Sequence, residues 1–95
     1  MSTQIINEQS VISAKPDNLA SRLGSEAVIL NMECGRYFGL NTTGAFVWDL
    51  VQQPRTVAAI EHAMCEEFEV TPEQCRVDLA TLLENLLSNG LIEVR

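Results

Sequence analysis

The sequence predicts a small α+β domain in which strands come first and helices follow. Runs of β-branched and aromatic residues, separated by turn residues, occupy the chain up to residue 40. Capping residues and apolar residues at helical spacing occupy the chain after it. The 95 residues are 46% hydrophobic, which suffices for one modest core. We therefore expect a single domain over residues 1–95.

The first half of the chain predicts a three-stranded antiparallel sheet. Residues 19–23 are the first strand candidate, and Gly24-Ser25 supplies the turn after it. Residues 27–32, an apolar run with two β-branched members, form the strongest candidate. Cys34-Gly35 then leads into residues 36–40. Because few residues separate the last two strands, they should form an antiparallel hairpin.

The two ends of the chain carry weaker patterns. Val11 and Ile12 are both β-branched, but two adjacent apolar residues do not alternate as strand residues do. Residues 1–14 are therefore expected to be an N-terminal extension or an extra strand. Residues 91–94 predict either a short final strand or a tail packed on the core. Residues 1–8 lack the basic and apolar regions of a signal peptide, which favours a cytoplasmic location.

Two of the three predicted helices have simple boundaries. The first runs from about residue 43 to residue 53, with Asn41 or Thr42 as its cap, and Pro54 stops it. The second begins at a Thr56 cap and carries apolar residues on one face as far as Phe68.

The third helix has the clearest start in the sequence. Thr71 is placed as its N-cap, Pro72 takes the first helical position, and Gln74 is placed to complete a capping box. Asn89-Gly90 is a common helix end. A small sheet followed by three helices has the parts of a winged helix-turn-helix domain, with the helices packed on one face of the sheet.

The third helix carries more apolar surface than one core contact needs. Its apolar residues fill an arc of roughly 160°, against about 100° for an ordinary surface helix; they are Leu82, Cys75, Leu86, Leu79, Leu83, Leu87 and Ala80. Two interpretations are open. Either the sheet and the other helices cover the whole arc, or one edge of it lines a groove for an apolar ligand. A strand at the edge of the sheet, such as residues 36–40, would let an extended peptide pair beside such a groove.

Charge and composition weaken several other functions. The net charge is −7, with −2 on residues 1–50 (three basic, five acidic) and −5 on residues 51–95 (three basic, eight acidic). Phosphate backbones attract positive charge, so nucleic acid is disfavoured as a partner. A DNA-binding regulator remains an alternative because winged helices often bind DNA, yet the third helix offers Arg76 against three acidic residues. No apolar run approaches the ~20 residues of a membrane span.

No residue pattern nominates a catalytic centre, a metal or a cofactor. His62 and Cys65 have a spacing that could begin a zinc site, but the other two cysteines, Cys34 and Cys75, have no paired spacing. Three cysteines in no recognisable framework are better read as free thiols than as a disulfide scaffold. We expect no enzyme activity and no bound cofactor.

Residues 35–48 carry a recognisable motif. Their sequence, GRYFGLNTTGAFVW, resembles the G-x-Y-x-x-L-N-x-x-G-A-x-V-W stretch of PqqD-like proteins. These proteins are the small recognition elements of pathways that modify ribosomally synthesised peptides (RiPP recognition elements). Residues 56–68 resemble their second helix, and residues 78–92 resemble their third helix and its exit. The resemblance covers roughly residues 20–93.

The resemblance implies a winged helix-turn-helix fold that binds the leader segment of a precursor peptide. In the family, the leader adds as a strand to the third strand and lies against the third helix. Carried onto this sequence, the strand side would be Arg36, Tyr37, Phe38 and Gly39. The helix side would be Cys75, Asp78, Leu79 and Leu82, with Asp78 available to a leader Lys, Arg or hydroxyl.

The resemblance also implies the partners. The motif is most similar to the stand-alone proteins of lasso-peptide biosynthesis, which work with a leader peptidase and an ATP-dependent cyclase. The expected partners are therefore a precursor leader peptide and a leader peptidase or another peptide-modifying enzyme. An alternative within the family is a chaperone for a radical SAM enzyme that modifies peptides.

Overall fold

The computed structural model describes residues 6–95 and has the predicted order of strands and then helices. An antiparallel sheet contains β2 (Asn18–Leu23), β3 (Glu26–Asn31) and β4 (Arg36–Leu40), in that spatial order. Three helices follow: α1 (Thr42–Leu50), α2 (Val57–Phe68) and α3 (Pro72–Ser88). This arrangement confirms the predicted α+β winged helix-turn-helix fold.

A second sheet, which the sequence did not predict as a unit, joins distant parts of the chain. It contains β1 (Val11–Ala14), β5 (Arg55–Thr56) and β6 (Ile92–Val94), with β1 in the middle. Ile12 lies opposite both Arg55 and Val94, and its side chain is completely buried. The described part of the expected extension therefore contains a strand, and residues 91–94 end in one. Residues 1–5, to which the same expectation applied, lie outside the described residues.

The β2–β3 hairpin fixes which side of the sheet each residue faces. Its loop is Gly24-Ser25, and Gly24 adopts a φ of +68°, as the first central residue of a type II′ turn does. Leu23 then lies opposite Glu26. On the inner face, Ala27 and Ile29 are buried in the core that the helices complete.

The hydrophobic core combines residues of both sheets and of all three helices. Trp48, on α1, is buried in this core. Phe46 and Phe68 join α1 to α2 through an edge-to-face contact, with ring centroids 5.2 Å apart and planes at 80°. These aromatic residues thus hold the helical layer together.

Each helix begins at a capping side chain that accepts a backbone N–H. Asn41 Oδ1 accepts from Gly44 at 2.9 Å, Thr56 Oγ1 from Ala59 at 3.2 Å, and Thr71 Oγ1 from Gln74 at 3.2 Å; these are the expected caps of α1, α2 and α3. The predicted capping box at Thr71 is only half formed. The side-chain amide of Gln74 donates to Asp78 Oδ1 at 2.9 Å and makes no return bond to Thr71.

Helix α1 ends at Leu50, three residues before its predicted end at residue 53. Pro54 has no N–H to donate to the carbonyl of Leu50, four residues earlier, and its ring disfavours the helical conformation at Gln53, so the helix ends before the proline. The Arg55 Nε–H donates to the Leu50 carbonyl at 2.6 Å and satisfies one of the acceptors left at the helix end.

Thr71→Ala should destabilise the protein by about 1 kcal/mol, because the first turn of α3 loses its capping acceptor. Urea unfolding followed by circular dichroism measures the loss. Thr81→Ala is the matched control, since Thr81 lies exposed within the same helix and its hydroxyl only donates back to the Val77 carbonyl. Equal losses in the two variants would contradict the assigned cap.

Candidate functional site

Strand β4 is an open edge of its sheet. Within residues 6–95, β3 is the only strand that pairs with β4, and the pairing runs from Ala27 opposite Leu40 to Asn31 opposite Arg36. An end strand keeps a row of backbone N–H and C=O groups without a strand partner. Residues 6–95 therefore leave this edge available to another segment.

The hairpin geometry identifies the residues whose backbone groups face that edge. A two-residue hairpin closes with a hydrogen-bonded pair, here Leu23 and Glu26, and bonding then alternates along β3. Ala27, Ile29 and Asn31 accordingly bond toward β4. Their partners in β4 are Leu40, Phe38 and Arg36.

The remaining two residues of β4 therefore direct their backbone outward. Tyr37 and Gly39 each turn one N–H and one C=O toward the open edge. Gly39 also leaves this part of the edge bare, because a Cβ placed on it would meet nothing within 4 Å. An incoming strand would find two donors and two acceptors here.

A cleft of about 320 Å³ lies between β4 and α3. This volume is at the lower end of the range typical for ligand pockets. Apolar side chains form its walls, and three asparagines add amide groups; the lining residues are Phe38, Gly39, Leu40, Asn41, Gly44, Leu82, Asn85, Leu86, Asn89 and Leu91. The cleft thus combines apolar contact with a few hydrogen-bonding groups, directly beside the open edge.

The predicted strand residues occupy different positions around this edge. Phe38 and Gly39 line the cleft. Tyr37, the neighbour of Phe38 in the strand, points to the opposite face of the sheet and is 71% exposed. The Arg36 guanidinium carbon lies 5.8 Å from the centroid of the Phe38 ring, a cation–π contact at the start of the strand.

Of the four predicted helix residues, one lines the cleft, two lie in the core and one is exposed. Leu82 lines the cleft and is half-buried. Leu79 and Cys75 are buried in the core, and Asp78 is exposed and accepts a hydrogen bond from Gln74. None of these three residues lines the cleft. They remain predictions as peptide contacts.

Helix α2 explains why Cys75 is buried. The Cys75 thiol donates to the Glu61 carbonyl of α2 at 3.5 Å, so α2 covers this end of α3. Burial raises the pKa of the Cys75 thiol to about 11, and a hydrogen bond with Cys65 and the nearby charges of Glu61 and Asp78 act in the same direction. Cys75 is consequently a neutral thiol near pH 7.

The cleft contains residues of α3, and the C-cap residue Asn89 that follows it, which were not predicted from the sequence as site residues. Asn85, Leu86 and Asn89 follow Leu82 at intervals of three, four and seven residues. Residues at those intervals share one helix face, and this was the signal available in the sequence. The apolar arc alone pointed instead to Cys75, which lies seven residues before Leu82 on the same face.

The outer face of the sheet is an exposed apolar surface beside the open edge. Register places Leu19, Leu30 and Tyr37 in one row across β2, β3 and β4. Leu19 is 59% exposed, and Leu23, four residues further along β2 and on the same face, is 62% exposed. We call the surface formed by Leu19, Leu23, Leu30 and Tyr37 the outer apolar face.

Residues 6–95 include neither a metal-binding cluster nor a membrane-spanning helix. They contain no group of three or more His, Cys, Asp and Glu side chains placed to hold a metal ion. No helix in this part of the chain combines the length and apolar character needed to span a membrane. His62, which the sequence analysis considered as a ligand, is exposed and lies 3.6 Å from the Glu66 carboxylate.

The fold and the cleft define a winged helix-turn-helix domain with an open sheet edge beside an apolar cleft. Residues 26–92 match the family model described as coenzyme PQQ synthesis protein D (PqqD). The chain belongs to the PqqD family. No curated protein matches it.

Two solved structures share the fold. One is TbiB1 in complex with the TbiA(beta) leader peptide, with 27% identity, a TM-score of 0.79, and coverage of 85% of this chain and 94% of the other. The second is lasso peptide synthetase B1 complexed with the leader peptide, with 23% identity, a TM-score of 0.74, and coverage of 86% and 96%. The second likeness shows the fold alone.

The raised pKa of Cys75 predicts a loss of stability at alkaline pH. In the unfolded chain the thiol ionises near 9.0, and in the folded protein near 11. The contribution of this thiol to the free energy of unfolding is therefore fully present below pH 9. It falls as pH rises toward 11, by roughly 1.4 kcal/mol for each unit of pKa difference. Urea unfolding between pH 8 and pH 11 measures the slope.

Cys75→Ala is the comparison for this slope, because the other groups that titrate above pH 9 remain present in it. The variant should be less stable at pH 8, since a buried side chain is truncated, and its stability should change less between pH 9 and pH 11. Parallel curves for the two proteins would contradict the assignment.

Proposed function

We propose that this protein binds the leader segment of a ribosomally synthesised precursor peptide and delivers it to a processing enzyme. The leader adds as a strand along β4, and its side chains on one face enter the cleft against α3. The observation that carries the proposal is the open edge of β4 beside that cleft. The protein performs no catalysis of its own and acts in the cytoplasm, where precursor peptides are made.

The chemistry of the site suits an extended peptide. The outward N–H and C=O groups of Tyr37 and Gly39 give affinity that does not depend on the side chains of the peptide. The cleft between Phe38 and Leu82 then selects an apolar side chain of the peptide. The amides of Asn85 and Asn89 in the cleft can hydrogen-bond to a neighbouring polar side chain of the peptide. Main-chain pairing with a side-chain pocket is the general mode of strand addition.

The structural likeness to TbiB1 supports a leader peptide as the ligand, because that protein was solved with one. The motif in residues 35–48 favours the lasso-peptide branch, in which the processing enzyme is a leader peptidase acting with a cyclase. Service to a radical SAM enzyme is the alternative that the family leaves open. The enzymes encoded beside this gene distinguish the two branches.

The surface of α3 argues against a DNA-binding role. A recognition helix presents Arg or Lys to phosphates and base edges. Arg76, on this helix, is held by carboxylates instead, at 3.3 Å from Glu61 and 3.4 Å from Glu8. Its exposed neighbour Asp78 would repel phosphate.

We propose that the processing enzyme contacts the outer apolar face. A peptide paired with β4 lies in the plane of the sheet, so it leaves this face uncovered. Exposed apolar patches beside a functional edge are typical of protein interfaces. Tyr37 belongs to both surfaces, with its backbone at the edge and its side chain on the face, so an enzyme docked here would sit next to the bound peptide.

Tyr37→Pro should weaken leader binding by at least about tenfold, because proline removes an outward N–H that the peptide needs and places a ring at the edge. The probe is a fluorescein-labelled synthetic leader of the precursor encoded beside this gene, and fluorescence anisotropy measures its affinity. An edge position tolerates proline because the lost N–H faces solvent, so the variant should fold.

Two controls accompany this variant. Tyr37→Ala removes the side chain and keeps the N–H, and it should bind within a few-fold of the parent protein. Ala20→Pro places proline on β2, the opposite edge of the same sheet, at a residue whose N–H also faces outward. Parent-like binding by folded Tyr37→Pro would exclude pairing along β4.

Leu19→Glu should leave leader affinity unchanged and slow removal of the leader by the partner peptidase at least several-fold, since a charge would have to be buried in the proposed contact. Chromatography of the cleaved precursor measures the rate. Val77→Glu is the matched control, because Val77 on α3 is 61% exposed against 59% for Leu19. Equal rates for both variants would remove the outer apolar face from the proposal.

A further inference from the structure

Two cysteines from different helices meet between α2 and α3. Cys65 lies in the last turn of α2, and Cys75 lies in the first turn of α3. The Cys75 thiol donates to the carbonyl of Glu61, which is one helical turn before Cys65. Side chains on a helix lean toward its N-terminus, so the side chain of Cys65 extends over this same turn. Cys65 is also among the neighbours that raise the pKa of the Cys75 thiol, as expected if the two side chains lie close together.

The two thiols differ in exposure. Cys75 is completely buried, whereas Cys65 is half-buried and can be reached from solvent. Cys34, the third cysteine, is exposed in the β3–β4 loop. Of the two neighbouring thiols, Cys65 is therefore accessible to solvent and Cys75 is enclosed.

We propose that Cys65 and Cys75 form a redox modification site, at which a peroxide converts the two thiols into an intramolecular disulfide joining α2 to α3. This inference is independent of peptide binding. It requires two adjacent thiols of unequal accessibility, and the α2–α3 contact supplies them.

The reaction proceeds in two balanced steps. The Cys65 thiolate attacks one oxygen of hydrogen peroxide, the O–O bond breaks, and Cys65 sulfenic acid and hydroxide form. The Cys75 sulfur then attacks the Cys65 sulfur, the S–O bond breaks, and the S–S bond forms. The hydroxyl leaves as water with the Cys75 proton. The two thiols are oxidised by two electrons in total, and one peroxide is reduced to two waters.

The charges around the pair set the order of the steps. Burial disfavours the Cys75 thiolate most, and the neighbouring Cys65 and the carboxylates of Glu61 and Asp78 act in the same direction. Arg76 is already engaged with the carboxylates of Glu61 and Glu8, so it offers Cys75 little compensation. Peroxide should therefore react first at Cys65, and Cys75 should act as the resolving thiol once the sulfenic acid is beside it.

The bridge would close a short loop and fasten the start of α3, the helix that forms one wall of the cleft. A disulfide across such a loop constrains the unfolded chain. We expect the oxidised protein to unfold at a Tm higher by on the order of 10 °C. Reduction with dithiothreitol should restore the original Tm.

The experiment uses the full chain carrying Cys34→Ser, so that the exposed third thiol cannot interfere. The reduced protein is treated with one to ten equivalents of hydrogen peroxide and alkylated. It is then digested without reductant by a protease that cleaves after glutamate. The expected product is a linked pair of fragments, residues 62–66 and residues 74–84, each carrying one of the two cysteines. The intact mass should fall by two hydrogens.

Two further measurements make the outcome decisive. A Cys75→Ser variant should retain a Cys65 sulfenic acid that dimedone traps, and it should form no linked pair. In 6 M urea the Cys34→Ser protein should form the link at least tenfold more slowly, because the fold no longer holds the two thiols together. Fragments that stay unlinked, disulfide-linked dimers as the main product, or equal rates with and without urea would each overturn the proposal.

Discussion

The structure depends on the register of the β2–β3 hairpin. The hydrogen-bonded pair at Leu23 and Glu26 determines which residues of β3 bond toward β2 and which toward β4. Because side chains alternate with the same period, the hairpin also decides which residues reach the core. A shift of one residue would expose Ile29, bury Leu30 and exchange the backbone groups that face the open edge. The core, the edge and the outer apolar face are consequences of a single register.

The second determinant is how far α2 extends along α3. Where α2 covers α3, the α3 residues Cys75 and Leu79 are buried in the core. Two turns later the same side of α3 meets the cleft, and Leu82 is only half-buried there. One apolar face thus contributes to both the core and the cleft, divided along its length. This division explains why α3 has more apolar surface than a helix that only completes a core.

The sequence was sufficient for the parts of the fold that local signals encode. Turn glycines, capping residues and apolar periodicity located the main sheet and all three helices, and the motif in residues 35–48 identified the family. The second sheet was less accessible, because β5 has only two residues and β1 does not alternate. The cleft was only partly predictable. Helical spacing gives the face on which Leu82 and Cys75 lie, but only tertiary packing decides that α2 covers one and leaves the other at the cleft.

The open edge of β4 has a further consequence for any enzyme that meets the loaded protein. A peptide paired with this strand would become the fourth member of the sheet, and every second one of its side chains would point the same way as Tyr37. Cargo and carrier would then present one continuous composite surface. An enzyme that binds this surface could distinguish a filled carrier from an empty one by direct contact with the side chains of the cargo, without any change in the shape of the carrier itself.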